Sequence, residues 1–179
     1  MISKAATAPL ACCLLLEACA DVQSTPPMAA LLAEASLQNS TGAPVGKASI
    51  EQRGAELALV VNVKGLSPGP HGIHLHTTGK CEAPGFTTAG GHLNPTSHQH
   101  GTMNPAGPHL GDLPNIVVTS DGRGSLRHSI AGSGQDTLAN LFDADGTALV
   151  VHAGPDDYAT DPSGNSGGRI ACGVLTRMR

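Results

Sequence analysis

The sequence predicts an all-β domain of about eight short strands, folded as a sandwich or barrel and interrupted by two long loops. Three observations carry that expectation. Glycine and proline account for 23 and 13 of the 179 residues and punctuate the chain at short intervals. Short apolar runs bounded by turn residues recur along it, and no segment has a convincing 3.6-residue period. Aromatic residues are nearly absent (Phe86, Phe142 and Tyr158, with no Trp), so any core must be built from Val, Leu, Ile and Ala. The length suits one domain with a short leader rather than two domains.

Residues 1–18 read as an export signal. Lys4 gives a minimal positive region, and residues 5–16 form an apolar stretch too short to span a bilayer but suited to a signal-peptide core. Leu16-Glu17-Ala18-Cys19 is similar to a lipobox, which predicts lipid attachment at Cys19, although Glu17 is atypical for its position. Residues 19–28 then form a Pro- and Ser-containing linker, and residues 29–179 form the domain. These features predict a protein of the periplasm or cell envelope, touching a membrane only through an N-terminal lipid. Loss of residues 1–18 removes Lys4 and Glu17 together, so the mature net charge stays at −4. A mildly acidic chain with three aromatics lacks the basic, stacking face of a nucleic-acid binder.

Within the domain, residues 31–38 and 56–64 are apolar-rich with partial alternation. Residues 39–45 and 52–55 are polar or Gly-containing breaks, which leaves room for a strand between them. A fourth strand runs through residues 73–76. From 77 to 114 periodicity stops, and Gly, Pro, His, Thr and Asn dominate; so long a loop inside a small domain is normally functional or disordered. Strands resume at 116–119, turn at Asp121-Gly122, and return through 125–130. Residues 149–152 form another strand, 153–168 a second Gly/Pro/Asp loop, and 169–175 the last strand. Cys12 and Cys13 lie in the leader and Cys19 carries lipid, so Cys81 and Cys172 remain, and two cysteines in an exported domain normally pair.

Nine histidines in one small domain point to metal. His74 and His76 lie two residues apart on a strand, so both project from one face and can share an ion. His92, His100, His109, Asp112 and His152 join them, and Gly111 between His109 and Asp112 permits a tight bend. Six imidazoles and a carboxylate are too many for one tetrahedral zinc. They suit two metals, particularly if one imidazole serves both.

Five segments in order carry a resemblance. They are Gly72-Ile73-His74-Leu75-His76, Gly91-His92-Leu93-Asn94-Pro95, Gly107-Pro108-His109-Leu110-Gly111-Asp112-Leu113-Pro114-Asn115, Val150-Val151-His152 and the run from Gly164 to Val174. Together they resemble the signatures of the copper,zinc superoxide dismutases, over roughly residues 31–175. The resemblance implies an eight-stranded Greek-key β-barrel with a metal-binding loop and an electrostatic loop. It implies copper on His74, His76, His92 and His152, and zinc on His92, His100, His109 and Asp112, with His92 bridging as an imidazolate. All-imidazole ligation suits copper, and three imidazoles with a carboxylate suit zinc. Asp156 matches a carboxylate that joins His74 to His100, and such acceptors fix the orientation of ligating histidines. Arg169 matches the arginine that guides the anion, Cys81 and Cys172 the disulfide, and His71 a histidine that braces the barrel. His98, His128 and Asp157 match no functional position.

The implied activity is conversion of two superoxide anions and two protons to dioxygen and hydrogen peroxide, by alternate reduction and reoxidation of the copper. Arg169 and His92 are then the catalytic residues. Relatives pair in different ways, so a homodimer is allowed but no interface carries over. The 153–168 loop has no Lys, which leaves no lysine of that loop to contribute to steering. The rival reading is a non-enzymatic copper- and zinc-binding protein of the envelope. Such a domain is expected to lose a copper ligand or the arginine, and this chain keeps them all.

Overall fold

The computed structural model describes residues 28–130, 132 and 134–179. The export leader, the lipobox with Cys19 and almost all of the 19–28 linker lie outside the described residues. The strands, in chain order, are β1 (Ala30–Asn39), β2 (Pro44–Arg53), β3 (Glu56–Val63), β4 (Gly69–His71), β5 (Ile73–His76), β6 (Ile116–Val118), β7 (Gly124–Ser129), β8 (Ala148–His152), β9 (Arg169–Val174) and β10 (Thr176–Arg177). They pair antiparallel in the order β4-β6-β7-β3-β2-β1-β9-β8-β5, and the two-residue β10 adds to β1.

β4 and β5 are one extended run interrupted only at Gly72, yet β4 pairs with β6 and β5 with β8. β4 and β5 are the two ends of the strand path, so this single run joins the ends and nearly closes the barrel. β1, β2 and β3 form a meander, after which the chain crosses over so that β3 neighbours β7. That crossover is the Greek-key connection. With β4 and β5 counted together and β10 set aside, eight principal strands remain, as expected. Gly72 is required by crowding: a Cβ there would come 2.7 Å from Cβ of Ser166 in the 153–168 loop.

Alternation fills the interior. Ala33, Ala35 and Leu37 of β1, Leu57, Leu59 and Val61 of β3, and Ile116 of β6 point inward and are buried. β5 and β8 differ, because every one of their residues is buried. Ile73, Leu75, Leu149 and Val151 belong to the barrel core, so His74, His76, Val150 and His152 face the opposite side and must be covered by loops. That covered outer face is where the site lies.

One element departs from expectation. An α-helix, α1 (Gly134–Leu141), precedes β8, where no helical period was legible. It is two turns long; Leu141 is fully buried and Leu138 packs against the core with Phe142. One i, i+3 pair and one i, i+4 pair, both from Leu138, are too short a record to establish a 3.6-residue period.

Candidate metal centre

β5 is an end strand of the sheet path, and two loop segments, around Leu93 and Gly111, hydrogen-bond to its free edge and to each other. Leu75 N donates to Gly111 O at 2.9 Å, Leu93 N to Leu75 O at 2.8 Å, and Gly111 N to Leu93 O at 2.9 Å. His92 is thereby paired beside His76, and Asp112 beside His74. The chain does bend tightly here, Asp112 N donating to His109 O at 3.3 Å, but Gly111 has no left-handed φ, so the bend itself does not demand glycine. The lack of a side chain at Gly111 serves close approach instead, since a Cβ would overlap Leu75 O.

His74, His76, His92 and His152 form the first cluster, and all four have fixed rings. His74 Nε2 donates to Asp156 Oδ2 at 2.7 Å, which leaves Nδ1. His76 Nδ1 donates to Gly90 O at 2.9 Å and His152 Nδ1 to Gly167 O at 3.0 Å, which leaves Nε2 on each. On His92, Nδ1 faces Asp112 and Nε2 is free. The four remaining atoms, Nδ1 of His74 and Nε2 of His76, His92 and His152, are buried without any hydrogen-bond partner. Unpaired buried polar atoms are costly, and four at one place need a common ligand.

The second cluster is His92, His100, His109 and Asp112. Nδ1 of the three imidazoles lies 2.9, 3.0 and 3.1 Å from the same oxygen, Oδ1 of Asp112. The other oxygen, Oδ2, accepts from the backbone N–H of Gly101 and His109, which holds the carboxylate in place. In each cluster the ligand atoms lie within 4.8 Å of one another. His92 belongs to both, offering Nε2 to one and Nδ1 to the other. This donor chemistry fits the metal pair: all-nitrogen on one side, three nitrogens and a carboxylate oxygen on the other.

Asp156 links the clusters from behind, accepting from His74 at 2.7 Å and from His100 Nε2 at 3.0 Å. Arg169 reaches over from the start of β9. Its Nη1 donates to Phe86 O at 2.6 Å and its Nη2 to Gly90 O at 2.7 Å. Gly90 O therefore fixes both the guanidinium and the His76 ring. The segment carrying these carbonyls is tied to β9 by the Cys81–Cys172 disulfide and by buried Phe86, which packs with Ala89, Ala148 and Val150. A cavity of about 550 Å³ opens over His92 and His152, and Arg169 is the only Lys or Arg lining it among the described residues.

Burial holds the first cluster neutral. The pKa of His74 falls to about 3, of His76 to about 2 and of His152 to about 4, and His92 is also lowered. Burial works against charge on His100 as well, but hydrogen bonds to Asp112 and Asp156 outweigh it and raise that group to about 9. For the two aspartates, burial opposes ionisation, yet the imidazole hydrogen bonds bring both well below the usual carboxylate range. The neutral imidazoles of the first cluster and the ionised carboxylates are already in the forms that bind metal, whereas His100 must give up a proton to do so.

The remaining histidines separate clearly. His71 is buried, with Nδ1 2.7 Å from His152 O and Nε2 2.8 Å from Ser67 O, which suits a brace beneath the cluster. His128 lies on β7 and belongs to neither cluster, although it lines a second cavity with His109 and Asp112. His98, which matched no functional position, does line the cavity, and its Nδ1 donates to Pro108 O at 3.0 Å. Asp157 organises its own loop through Ala159, Thr160 and Asn165. Sequence reading leaves out three contributors. Asp161 accepts from the backbone N–H of His100 at 2.6 Å, and Asn115 and Tyr158 hold Asp156. Asn115 ends one of the quoted segments but its role is not legible there, because each of the three acts on a residue more than 40 positions away or through backbone groups.

Comparison with known proteins places these clusters in a family context. The family model for copper/zinc superoxide dismutase (SODC) matches residues 45–175. A superoxide dismutase [Cu-Zn] 2 of Aquifex aeolicus (strain VF5) is 43% identical over 150 residues, covering 81% of this chain and 86% of that protein. Among solved structures, a SOD-like protein from Bacillus subtilis aligns with a TM-score of 0.76 at 38% identity, over 82% of this chain and 100% of that one. A Cu/Zn superoxide dismutase from Brucella abortus aligns with a TM-score of 0.62 at 30% identity, over 83% and 100%.

Proposed function

The chain belongs to the copper/zinc superoxide dismutase family, and within it we propose that His74, His76, His92 and His152 hold the copper and His92, His100, His109 and Asp112 the zinc. The protein is an oxidoreductase that turns two superoxide anions and two protons into dioxygen and hydrogen peroxide. The observation that carries the ligand assignment is the set of four buried ring nitrogens left without partners, one on each of the four copper-side histidines.

When bound, copper supplies the one-electron exchange with superoxide, and zinc fixes the shared imidazole. The chain's own residues do the rest. Arg169 draws the anion into the cavity, and the guanidinium N–H groups not tied to Phe86 and Gly90 orient it there. The two carbonyls hold that guanidinium still, so its orientation is set before the anion arrives. His92 Nε2 lies buried at the floor of the cavity and, whenever it is not engaged as a ligand, is the atom suited to hold a proton and give it up to the product. Asp112 anchors Nδ1 of the same ring, so that ring cannot turn away.

The disulfide is consistent with export, since such bonds persist in oxidising compartments. We place the protein in the periplasm or cell envelope, held to a membrane by lipid on Cys19. Cys19→Ser is expected to release it from membranes or leave the precursor uncleaved; a soluble wild type starting beyond Cys19 contradicts the anchor. The homodimer that the resemblance allows is read by sedimentation of the mature protein.

Metal analysis and a superoxide-scavenging assay on purified protein test the assignment together. One copper and one zinc per chain are expected, and His92→Ala should abolish most activity and uncouple the two sites. Uptake of a single metal by wild type under excess of both overturns the two-metal reading.

A further inference from the structure

Asp156 does more than any other residue outside the ligand set, because its two oxygens hold one imidazole from each cluster. It sits in the 153–168 loop, outside any strand, so its position depends on what fixes its backbone. The fixing group is the carboxamide of Asn115. Asp156 N donates to Asn115 Oδ1 at 2.8 Å, and Asn115 Nδ2 donates to Asp156 O at 2.9 Å. One side chain thus satisfies both peptide groups of one residue, as a neighbouring strand would. Asn115 directly precedes Ile116, which opens β6 and is fully buried, so the clamp is anchored to the barrel.

Tyr158 closes the circuit. Its phenol oxygen accepts from Asn115 N at 2.8 Å, and its own N–H donates to Asp156 Oδ1 at 2.7 Å. Its carbonyl accepts from Met103 N at 2.9 Å, inside the long loop that carries His100 and His109. Neither Asn115 nor Tyr158 bonds to a ligand side chain; each reaches the site through Asp156 or the backbone.

We propose that Asn115 and Tyr158 are positioning residues of the two-metal centre. They register Asp156 to the barrel, so that filling the zinc cluster aligns the His74 ring on the copper side. The proposal rests on the ligand assignment above and extends it to residues that hold no metal.

Asn115→Ala and Tyr158→Phe, each made in the full chain, test it with two readouts besides activity. Zinc affinity is measured by chelator competition, and His74 orientation by the electron paramagnetic resonance spectrum of oxidised, zinc-loaded protein carrying copper. Asn115→Ala is expected to weaken zinc binding about 10- to 100-fold and to alter the copper spectrum. Tyr158→Phe should shift both the same way by less. Ile50→Val, on the far wall of the barrel, serves as a stability control that lowers the unfolding midpoint without moving either readout. If Asn115→Ala and Tyr158→Phe behave like Ile50→Val, with wild-type zinc affinity and spectrum, the residues are merely structural and the proposal fails. Should Asn115→Ala not fold, Tyr158→Phe decides by the same criterion. Wild type that binds no zinc overturns the ligand assignment, and this proposal with it.

Discussion

Gly164→Ala probes the link between the clusters without replacing any ligand. Gly164 has φ of +65°, and a Cβ there would overlap the Asp156 carboxylate and lie 2.7 Å from His100 Nε2. Two costs add. Holding a non-glycine residue in the left-handed region costs about 1–2 kcal/mol. Displacing Asp156 from His100 forfeits a buried charge-assisted hydrogen bond worth about 1.5–3 kcal/mol. Gly167→Ala is the matched control: its φ is +78°, but the nearest atom to the added Cβ is 3.7 Å away, so only the first cost applies. Metal-free Gly164→Ala should therefore lose about 2.5–5 kcal/mol in denaturant unfolding, against about 1–2 kcal/mol for the control. Zinc affinity by chelator competition should fall about 10- to 100-fold in Gly164→Ala and change little in Gly167→Ala. If the two variants match in both measurements, the Asp156–His100 contact does not support the zinc cluster.

Other expectations follow from the same contacts. Arg169→Lys should retain more activity than Arg169→Ala, and Arg169→Glu least, at equal copper occupancy. Because steering is screened over about 8 Å at physiological ionic strength, wild-type rates should fall with salt more than those of Arg169→Ala; a fully metallated Arg169→Glu matching wild type at low salt removes the guiding role. In metal-free protein, His74, His76 and His152 stay neutral in the fold while their unfolded counterparts take up protons below about pH 6.5. Stability should fall as pH drops from 6.5 toward 4, each imidazole adding a slope of about 1.4 kcal/mol per pH unit. His100 works in the opposite sense, its contribution being lost as pH rises through about 9; a flat profile between pH 4 and 6.5 would count against neutral burial. The Cys81–Cys172 bond spans a separation of 91 residues, which on the chain-entropy model stabilises by roughly 4–5 kcal/mol. An unfolding midpoint unchanged on reduction would contradict that. Thr147 Oγ1 is buried without a partner, so Thr147→Val should be neutral or stabilise by up to about 2 kcal/mol; a loss beyond 1 kcal/mol in denaturant unfolding would show that the hydroxyl is satisfied.

The parts of the fold legible in the sequence are those governed by local chemistry. β5 was readable from Ile73 to His76 because its alternation and ligand pair say the same thing. β4 was not, since Gly69-Pro70-His71 has no strand composition and pairs only because the chain must meet β6. The helix at 134–141 escaped for want of length. In the site, every proposed ligand lies in one of the two clusters, because imidazoles and carboxylates are visible residue by residue. Hidden were the groups that orient them. The carbonyls of Phe86 and Gly90 bear no side-chain signature, and Asn115 clamps a residue 41 positions away. His98 was legible as a histidine but not as a wall of the cavity, since that depends on how the long loop returns over β5.

The central claim is that two metals share His92. Anomalous diffraction from oxidised crystals loaded with both metals, collected at the copper and zinc absorption edges, tests it directly. The account predicts one copper bound by His74 Nδ1 and by Nε2 of His76, His92 and His152. It predicts one zinc bound by Nδ1 of His92, His100 and His109 and by Asp112. A single metal peak, or two peaks with His92 bound to only one of them, would contradict it.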